Sequence, residues 1–482
     1  MNYGILGPIV VLACLSACAV GPDYREPAPI LPDRWQAARD SAQALKPISE
    51  QALKTWWSTF RDPELNRIME QARQGNLDLR IAFTRIEQAR AERLANRAAL
   101  FPQVGALGVA SHFDNLIPGQ DLAGSGGLNY FLTGFDAIWE IDAFGRLRRK
   151  LEAASAQTES AGEEYRQAWV LLSAEVARTY TDYRNLQNQL RITQANLASQ
   201  RRTLELTEQL FREGVGTRYD VARARAQTES TEAGIPALEG RITAARHQLE
   251  MLIGAKPGAL QIRLAEPADV PETSTRELLT TPAASLRYRP DIRGGERRLA
   301  AATATQGAAF AELFPKISIA AFAGLQNSDL ENLFRSSSFS WASGSAIMQP
   351  IFNFGRIRAG IDLADARQKE AYLNYEKAVL DALRETESAM AQFLKEEQRR
   401  RTLAASVADL RESHRLAELR YREGIATFLD VLDAERVLYR EELELAESRA
   451  RTATFLIALY KALGGAGQLE VPPVEESIRP WG

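Results

Sequence analysis

The chain has 482 residues, of which 45% are hydrophobic and 25% charged, and its formal net charge at pH 7 is −3. This balance is typical of an ordered protein and argues against a nucleic-acid binder, which usually carries an excess of basic residues. The sequence contains no P-loop and no Ser-His-Asp grouping, and its three histidines are scattered, so we do not expect an enzyme.

The amino terminus has the features of a bacterial lipoprotein signal. Residues 1–17 carry no charged side chain, and the apolar run Ile5 to Leu15 is too short to span a bilayer permanently. The segment ends in small residues followed by Cys18, as in a lipobox. We expect cleavage before Cys18 and an N-acyl diglyceride on that cysteine, with no other cofactor. The alternative is an ordinary signal peptide with an incidental cysteine.

Cleavage before Cys18 would also determine whether a disulfide can form, and the residue after Cys18 indicates the target membrane. It removes Cys14 and leaves Cys18 occupied by lipid, so no disulfide can form in the mature chain. Ala19 stands where an inner-membrane retention aspartate would stand, which favours the outer membrane. Because a lipid anchor alone holds a protein only modestly, we expect a second membrane signal further along the chain.

Residues 18–61 are rich in proline and predict an extended arm. The first strong helix signal is Asp62-Pro63-Glu64, with Asp62 as the N-cap and Pro63 at the first helical position. Apolar residues then recur at helical spacing to about Leu100, where Pro102 ends the helix.

The apolar period then changes from 3.6 to 2, which predicts β-hairpins at about 102–141 and 315–352. In the first hairpin Phe135 and Trp139 share one face, whereas Asp136 lies on the other. Alternating segments of about ten residues with aromatic side chains near their ends are typical of transmembrane β-strands. A soluble, half-buried hairpin is the alternative.

Each hairpin leads through Phe-Gly-Arg into a very long amphipathic helix. Its apolar residues follow a heptad pattern with one four-residue stutter, at the same place in both halves. About 65 helical residues would span about 100 Å, and the apolar stripe along such a helix requires other helices beside it. We call the turns that end these helices the end turns; they comprise Gly214, Val215, Gly216, Thr217 and Gly424, Ile425, Ala426, Thr427. Return helices should run to about Ile253 and Leu463.

The two halves of the chain repeat each other. FREGVGTRYDVARA from Phe211 matches YREGIATFLDVLDA from Tyr421, and IDAFGRLRRK from Ile141 matches IFNFGRIRAG from Ile351, a spacing of 210 in both cases. LFPQVGALG from Leu100 matches LFPKISIAA from Leu313 at a spacing of 213. Such a long period indicates one architectural unit built twice.

These boundaries divide the chain into six segments: a signal peptide 1–17, an arm 18–61, repeat 1 at 62–253, an irregular linker 254–289, repeat 2 at 290–463 and a tail 464–482. Four strands per chain cannot close a transmembrane barrel, and lipid does not tolerate an open sheet edge. The chain should therefore oligomerise, and three copies would give a 12-stranded barrel. The helices are too polar to lie in lipid and should project into an aqueous compartment.

The chain resembles the TolC-like outer-membrane factors, in particular the lipoprotein branch with the NodT-type and RND multidrug efflux proteins. The resemblance is carried by GPDY after the lipobox and by TWWSTFRDPEL, WEIDAFGRLR, RYRPDIRGGERRL and QPIFNFGRIR, which begin at Thr55, Trp139, Arg287 and Gln349. It implies an α+β membrane protein that forms a homotrimer. The 12-stranded barrel would sit in outer-membrane lipid, continuous with a long periplasmic α-helical barrel and a mixed equatorial domain.

The resemblance also implies partners and a role. The end turns would dock a periplasmic membrane fusion protein, the adaptor, which connects to an inner-membrane pump of the RND type. The chain would then be the exit duct of a tripartite efflux system. Type I protein secretion and metal-cation efflux remain alternatives, because the pump selects the cargo. A pore-less, lipid-anchored coiled-coil scaffold and an envelope enzyme are further alternatives.

A duct through the outer membrane needs a closed state. Asp430 and Asp433 are three residues apart and therefore share one helix face, so a trimer could arrange each as a ring of carboxylates. Leu429 could add an apolar constriction, and the resemblance implies the same roles. The alternative is that these aspartates are solvent-exposed charges on a helix surface.

The resemblance further implies a lock on this aperture. Arg420 and Tyr421 match the residues that engage an aspartate after the first end turn, and Asp220 is the matching acid. An Arg–carboxylate pair is directional yet weak enough at a surface to be broken by a partner. Ala426 stands where other members place a polar residue or arginine, so we expect one locking contact to be missing.

Overall fold

A computed structural model of the chain describes residues 19–28, 31–33, 35–39, 46–47, 50–113, 128–262, 264–271, 277–279 and 287–473. The predicted lipidation site Cys18 lies outside these residues. The helices are α1 (Gln36–Arg39), α2 (Glu50–Lys54), α3 (Pro63–Gly75), α4 (Leu77–Ala98), α5 (Arg146–Arg212), α6 (Arg218–Leu252), α7 (Pro290–Ala311), α8 (Arg356–Arg422) and α9 (Phe428–Ala462). The strands are β1 (Lys46–Pro47), β2 (Gln103–Phe113), β3 (Leu128–Ile141), β4 (Glu277–Leu279), β5 (Lys316–Asn327) and β6 (Phe339–Met348).

The predicted long helices and hairpins are confirmed. Helices α5 and α8 each contain 67 residues, close to the expected length, and the return helices α6 and α9 each contain 35. No helix in the described residues combines the length and the apolarity that crossing a membrane requires.

Two expectations about the first hundred residues were wrong. The opening helix is not continuous to Leu100, because Asn76 separates α3 from α4 and its side chain accepts from Leu79 N at 2.9 Å. The arm is not extended throughout, since α1, α2 and a 3₁₀ turn (Trp56–Phe60) form within it. Aromatic burial accounts for this structure: Trp56 is fully buried and stacks on Tyr460 at 5.3 Å.

The chain divides into two compact units, and the four long strands belong to the unit made of residues 1–28, 85–161 and 294–376. They form one antiparallel sheet in the order β2-β3-β5-β6, in which the two hairpins meet through β3 and β5. This central pairing is in register from Phe131↔Asn327 to Ile141↔Ile317. Strands β2 and β6 are the edges of the sheet, and neither has a second neighbour among the described residues.

The amino-terminal segment 19–24 is held on the same unit. Val20 N donates to Phe144 O at 3.2 Å, and Asp23 pairs with the buried guanidinium of Arg149 at 2.5 Å. The hydroxyl of Tyr24 donates to Glu296 at 2.8 Å. The segment directly after Cys18 is therefore fixed beside the end of β3.

The other unit comprises residues 29–84, 162–293 and 377–482 and contains the return helices α6 and α9 together with the parts of α5 and α8 that begin at residues 162 and 377. Equivalent ion pairs cross the two hairpins: Arg201–Glu232 at 3.1 Å in the first and Arg411–Glu442 at 2.7 Å in the second. Both residues of the pair are shifted by the repeat spacing of 210. The internal duplication is thus a duplication of side-chain contacts as well as of sequence.

The predicted irregular linker contains the short strand β4, which pairs in parallel with β1. At its start the linker passes very close to α3. A Cβ atom on Gly254, whose φ is +71°, would lie 2.1 Å from Gly75 O, whereas a Cβ on Gly258, whose φ is +96°, would meet nothing within 4 Å. Gly254 is therefore required for a close backbone approach, and Gly258 only for its dihedral angle.

This difference gives a stability prediction with an internal control. Gly254→Ala should lower the free energy of unfolding by about 1–3 kcal/mol more than Gly258→Ala, because both carry the positive-φ cost but only the first adds a backbone collision. Thermal unfolding of the purified variants measures the difference. Equal melting temperatures of the two variants would contradict a collision between the added Cβ at position 254 and the backbone of Gly75.

Candidate functional site at the hairpin ends

Both long helices end in the same backbone motif. Gly214 and Gly424 adopt φ values of 77° and 72°, the left-handed region that glycine enters without steric cost. The N–H groups of the two residues after each glycine donate to one carbonyl, that of Leu210 in the first turn and Arg420 in the second, at 2.8–3.2 Å. This glycine-dependent cap satisfies the last carbonyls and reverses the chain, and the predicted end turns are confirmed as turns.

The tips of the end turns are apolar and exposed. Val215 is 73% and Ile425 68% exposed. Both occupy the same place in their repeats, since the spacing between them is 210. Two exposed aliphatic side chains at the tips of two charged hairpins are candidates for contact with another molecule.

The return helices begin with matching threonine–aspartate caps. Thr217 Oγ1 donates to Asp220 Oδ2 at 2.6 Å, and Thr427 donates both its N–H and its Oγ1–H to Asp430 Oδ2 at 2.8 Å. Asp220 and Asp430 are therefore equivalent residues that stabilise the first turn of a helix. Threonine followed three residues later by aspartate is visible in the sequence at both turns, and it signals this additional, structural role.

The second end turn carries the predicted aperture residues. Hydrogen bonds from the Thr427 side chain, then from its backbone, hold the pKa of Asp430 below its usual range, and the charge of Arg420 adds to this effect. Asp433 is exposed, and Leu429 is 50% exposed. Asp430 is therefore ionised at neutral pH, and Leu429 and Asp433 present an apolar and an acidic group at the surface of one chain.

Tyr421 lies between the two hairpins. Its ring packs against the buried cluster of Ala224, Phe428 and Leu432. Burial raises the pKa of Tyr421, a hydrogen bond with Thr207 opposes the rise, and the nearby carboxylate of Asp220 adds to it. The predicted pair Tyr421 and Asp220 is thus brought close together.

Arg420, the third predicted lock residue, is placed differently. Within the described residues Arg420 and Asp220 form no ion pair, and the Arg420 charge acts on Asp430 of its own hairpin. One chain therefore brings Tyr421 to Asp220 and Arg420 to Asp430.

Sequence reasoning missed Glu435, two turns into α9. This carboxyl is 4% exposed, and its Oε1 atom has no hydrogen-bond partner. Burial raises its pKa to about 7 and the Glu418 charge adds to the rise, while a hydrogen bond with Ser199 and the charge of Arg202 oppose it. Glu435 follows the buried Val431 and Leu432 at helical spacing. An acidic residue on the apolar face of a helix was therefore the sequence signal that could have predicted its burial.

The described residues contain no group of three or more His, Cys, Asp and Glu side chains that could hold a metal ion. What the hairpin ends offer is exposed carboxylates, exposed aliphatic tips and one buried, protonatable carboxyl. Such groups can bind a partner and filter ions.

The Glu435 environment predicts a pH dependence. Because the pKa is raised in the packed state, the proton stabilises this packing: stability is greatest below the ordinary glutamate pKa and falls as pH rises toward about 7. Above that value the ionised carboxylate should cost on the order of 3 kcal/mol per chain. Amide hydrogen exchange in α9 near Glu435 should therefore rise between about pH 5 and pH 7 beyond the intrinsic chemical acceleration, and this extra rise should level off above that range.

Glu435→Gln should remove this extra dependence, because the amide keeps the shape of the acid without the charge. The matched control is Glu423→Gln at an exposed position, which should leave the dependence intact. Equal pH dependence in the wild type and Glu435→Gln would show that Glu435 does not control this packing.

Comparison with known proteins places both repeats in one family. The family model described as Outer membrane efflux protein matches residues 68–255 and 282–465. The two matched segments correspond to the two repeats, as the duplication predicts.

Individual relatives align over nearly the full chain. The solvent efflux pump outer membrane protein SrpC of Pseudomonas putida is 32% identical over 469 residues, covering 95% of this chain and 97% of that protein. The cation efflux system protein CusC of Escherichia coli K12 is 30% identical over 463 residues, covering 95% and 98%. The solved structure of the outer-membrane channel OprN has a TM-score of 0.87 at 35% identity and covers 93% of this chain and 99% of that one.

Proposed function

The chain belongs to the outer membrane efflux protein family, and we propose that three copies of it close into one duct in the outer membrane. Its role is that of an outer-membrane efflux channel rather than an enzyme. The proposed duct receives its cargo from a periplasmic adaptor and an inner-membrane pump of the RND type. The relatives include both a solvent and a cation efflux protein, in keeping with a duct that leaves the choice of cargo to the pump.

The observation that carries the proposal is the pair of free sheet edges on β2 and β6. Their backbone N–H and C=O groups would be unsatisfied in hydrocarbon, at a cost of several kcal/mol each. Exposed apolar side chains on these strands favour a lipid setting: Val104 is 70%, Trp341 72% and Ile347 72% exposed. Another copy of the chain offers each edge an antiparallel partner.

The repeat predicts how copies pair. Within the chain, β3 of repeat 1 pairs with β5 of repeat 2, placing Ile138 opposite Ala320. Shifting Ile138 by 210 and Ala320 by 213, the two spacings of the duplication at these strands, gives Met348 on β6 opposite Leu107 on β2 of the next copy. Four strands per chain then close as a 12-stranded barrel in a trimer.

An aromatic pair supports the same arrangement. Phe144 after the first hairpin stacks on Phe314 before the second, with ring centroids 4.8 Å apart. The repeat equivalents are Phe354 and Phe101, which are 93% and 58% exposed in one chain. In the proposed trimer Phe354 stacks on Phe101 of the next copy, which buries both rings.

Acylation of Cys18 is part of the proposal. The residue after it, Ala19, lies so close to Gly145 that a Cβ there would approach to 2.8 Å. Because Gly145 follows the end of β3, the acyl chains would start at the end of the strands. The lipid would then supplement a barrel that inserts by its own apolar surface.

The proposed register is tested by paired cysteines in β6 and β2. Met348→Cys with Leu107→Cys should give disulfide-linked dimers and trimers, because directly opposed strand residues satisfy disulfide geometry. Ile138→Cys with Ala320→Cys is the matched within-chain pair and should link without a change of mass. Denaturing gels without reductant measure both.

Met348→Cys with Gly108→Cys provides the register control. A one-residue shift places the side chains on opposite faces of the sheet, so this pair should link poorly. Failure of the Met348/Leu107 pair beside efficient linking of Ile138/Ala320 would contradict the proposed closure.

The closed state is proposed to rest on Tyr421, Arg420 and the nearby aspartates. An exposed contact of this kind contributes under about 1 kcal/mol, but three symmetric copies act on one closed state. Arg420→Ser with Tyr421→Phe should therefore raise the open probability in planar bilayers by roughly tenfold or more. Arg422→Ser, which changes a neighbouring exposed arginine, should have little effect.

The acidic rings predict a separate change. Asp433→Asn should weaken cation selectivity while changing the open probability less, because it leaves unchanged Asp430, on which the Arg420 charge acts. Bilayer reversal potentials in a salt gradient measure the selectivity. Unchanged selectivity would place the ion filter elsewhere in the duct.

A further inference from the structure

A second contact between copies follows from the duplication and rests on the proposed trimer. The hairpins repeat at the level of side chains, as the Arg201–Glu232 and Arg411–Glu442 pairs show. In a closed ring of repeats, each contact that repeat 1 makes with repeat 2 inside a chain has a counterpart between repeat 2 and repeat 1 of the next copy. Contacts of α5 with α9 therefore predict contacts of α8 with α6 of the neighbour.

We call the α5–α9 contact near the end turns the within-chain seam. It is mainly apolar, because Leu204 packs against the buried cluster of Ala224, Phe428 and Leu432. Its polar member is the buried Glu435, which lies near Ser199 and Arg202.

We call the predicted contact of α8 with α6 of the next copy the between-copy seam. Its residues at the equivalent positions have different chemistry. Glu435 is replaced by Arg225, Ser199 by Asp409 and Arg202 by Glu412. Asp409 is exposed and has no ion-pair partner within the described part of the chain, and Glu412 is exposed and paired with Arg415 of its own helix at 2.6 Å. The acidic face of α8 thus lies where the repeat places an arginine of α6.

The arginine is already oriented by its own chain. Arg225 pairs with Glu208 at 2.8 Å and remains 58% exposed. A guanidinium has five N–H donors in a planar fork, so one carboxylate leaves donors free for others. The counterpart of Glu208 is Glu418 of α8, whose charge acts against the ionised form of Glu435. At Arg225 the same acidic position is attractive.

We propose that Arg225 of each copy binds Asp409 and Glu412 of the next copy, forming an ion-pair seam between subunits near the end turns. The two seams then respond to different conditions. Salt screens the between-copy seam, whereas protonation of Glu435 strengthens the within-chain seam. A charged docking partner can compete for the between-copy pairs while the apolar within-chain seam stays packed.

The test uses a short bifunctional thiol reagent on the full-length protein. Arg225→Cys with Asp409→Cys should give linked dimers and trimers. Ser199→Cys with Glu435→Cys occupies the equivalent positions inside one chain and should link without a change of mass. A failed Arg225/Asp409 link beside a successful Ser199/Glu435 link would overturn the proposal.

Charge reversal gives a second readout. Arg225→Glu should increase channel opening in bilayers at least severalfold, and adding Asp409→Arg with Glu412→Arg should restore most of the closed state. Glu208→Gln, which removes the within-chain partner and keeps Arg225, should open the channel less than Arg225→Glu. No rescue by the double reversal would contradict the seam.

The strand cysteines separate this inference from the proposed function. If Met348/Leu107 links copies and Arg225/Asp409 does not, the trimeric duct stands and the ion-pair seam is wrong. If neither pair links copies, the trimer and the seam both fail.

Discussion

The backbone groups at the open edges of the sheet need hydrogen-bond partners, and this need constrains the rest of the molecule. Strands β2 and β6 leave two rows of backbone groups without partners in the described chain, and lipid offers none. Because the chain is a duplication whose halves already pair through β3 and β5, the partner that fits each edge is another copy of the same chain. The proposed oligomeric closure follows from that constraint, and it would also bury the exposed Phe101 and Phe354 rings and create a pore that needs a gate.

The same duplication then produces different chemistry at equivalent places. Asp220 and Asp430 both cap return helices, yet only Asp430 is followed after three residues by a second aspartate; the equivalent position in repeat 1 is Arg223. Glu435 is buried without a full set of partners, whereas its counterpart Arg225 is exposed and paired. If the six repeats of the proposed trimer were identical, every contact between neighbouring repeats would be the same. In the proposed trimer, divergence between the repeats would allow one seam to titrate and another to respond to salt, and a two-state aperture needs such differences.

The sequence alone predicted the elements whose signals are local and long: the hairpins, both 67-residue helices and the end turns, where glycine and heptad spacing agree. It failed where tertiary contacts override composition. At the break between α3 and α4, Asn76 Nδ2 donates to Leu252 O at 2.9 Å, a contact distant in sequence that no local pattern encodes. The helical turns of the arm depend on burying Trp56 against Tyr460, about 400 residues away in the chain. At the candidate site the sequence predicted the end turns, which form as turns, whereas the burial of Glu435 depends on neighbouring helices that no local pattern reveals.

We propose that three copies close one channel. Native mass spectrometry of the full-length protein, released from mild detergent, tests it most directly, because it counts chains independently of any substitution. We expect a complex of three mature chains, each derived from the 53.4 kDa precursor, with the Cys18 lipid contributing to each mass. A monomer that retains its full strand content, or a closed complex of two or four chains, would contradict it.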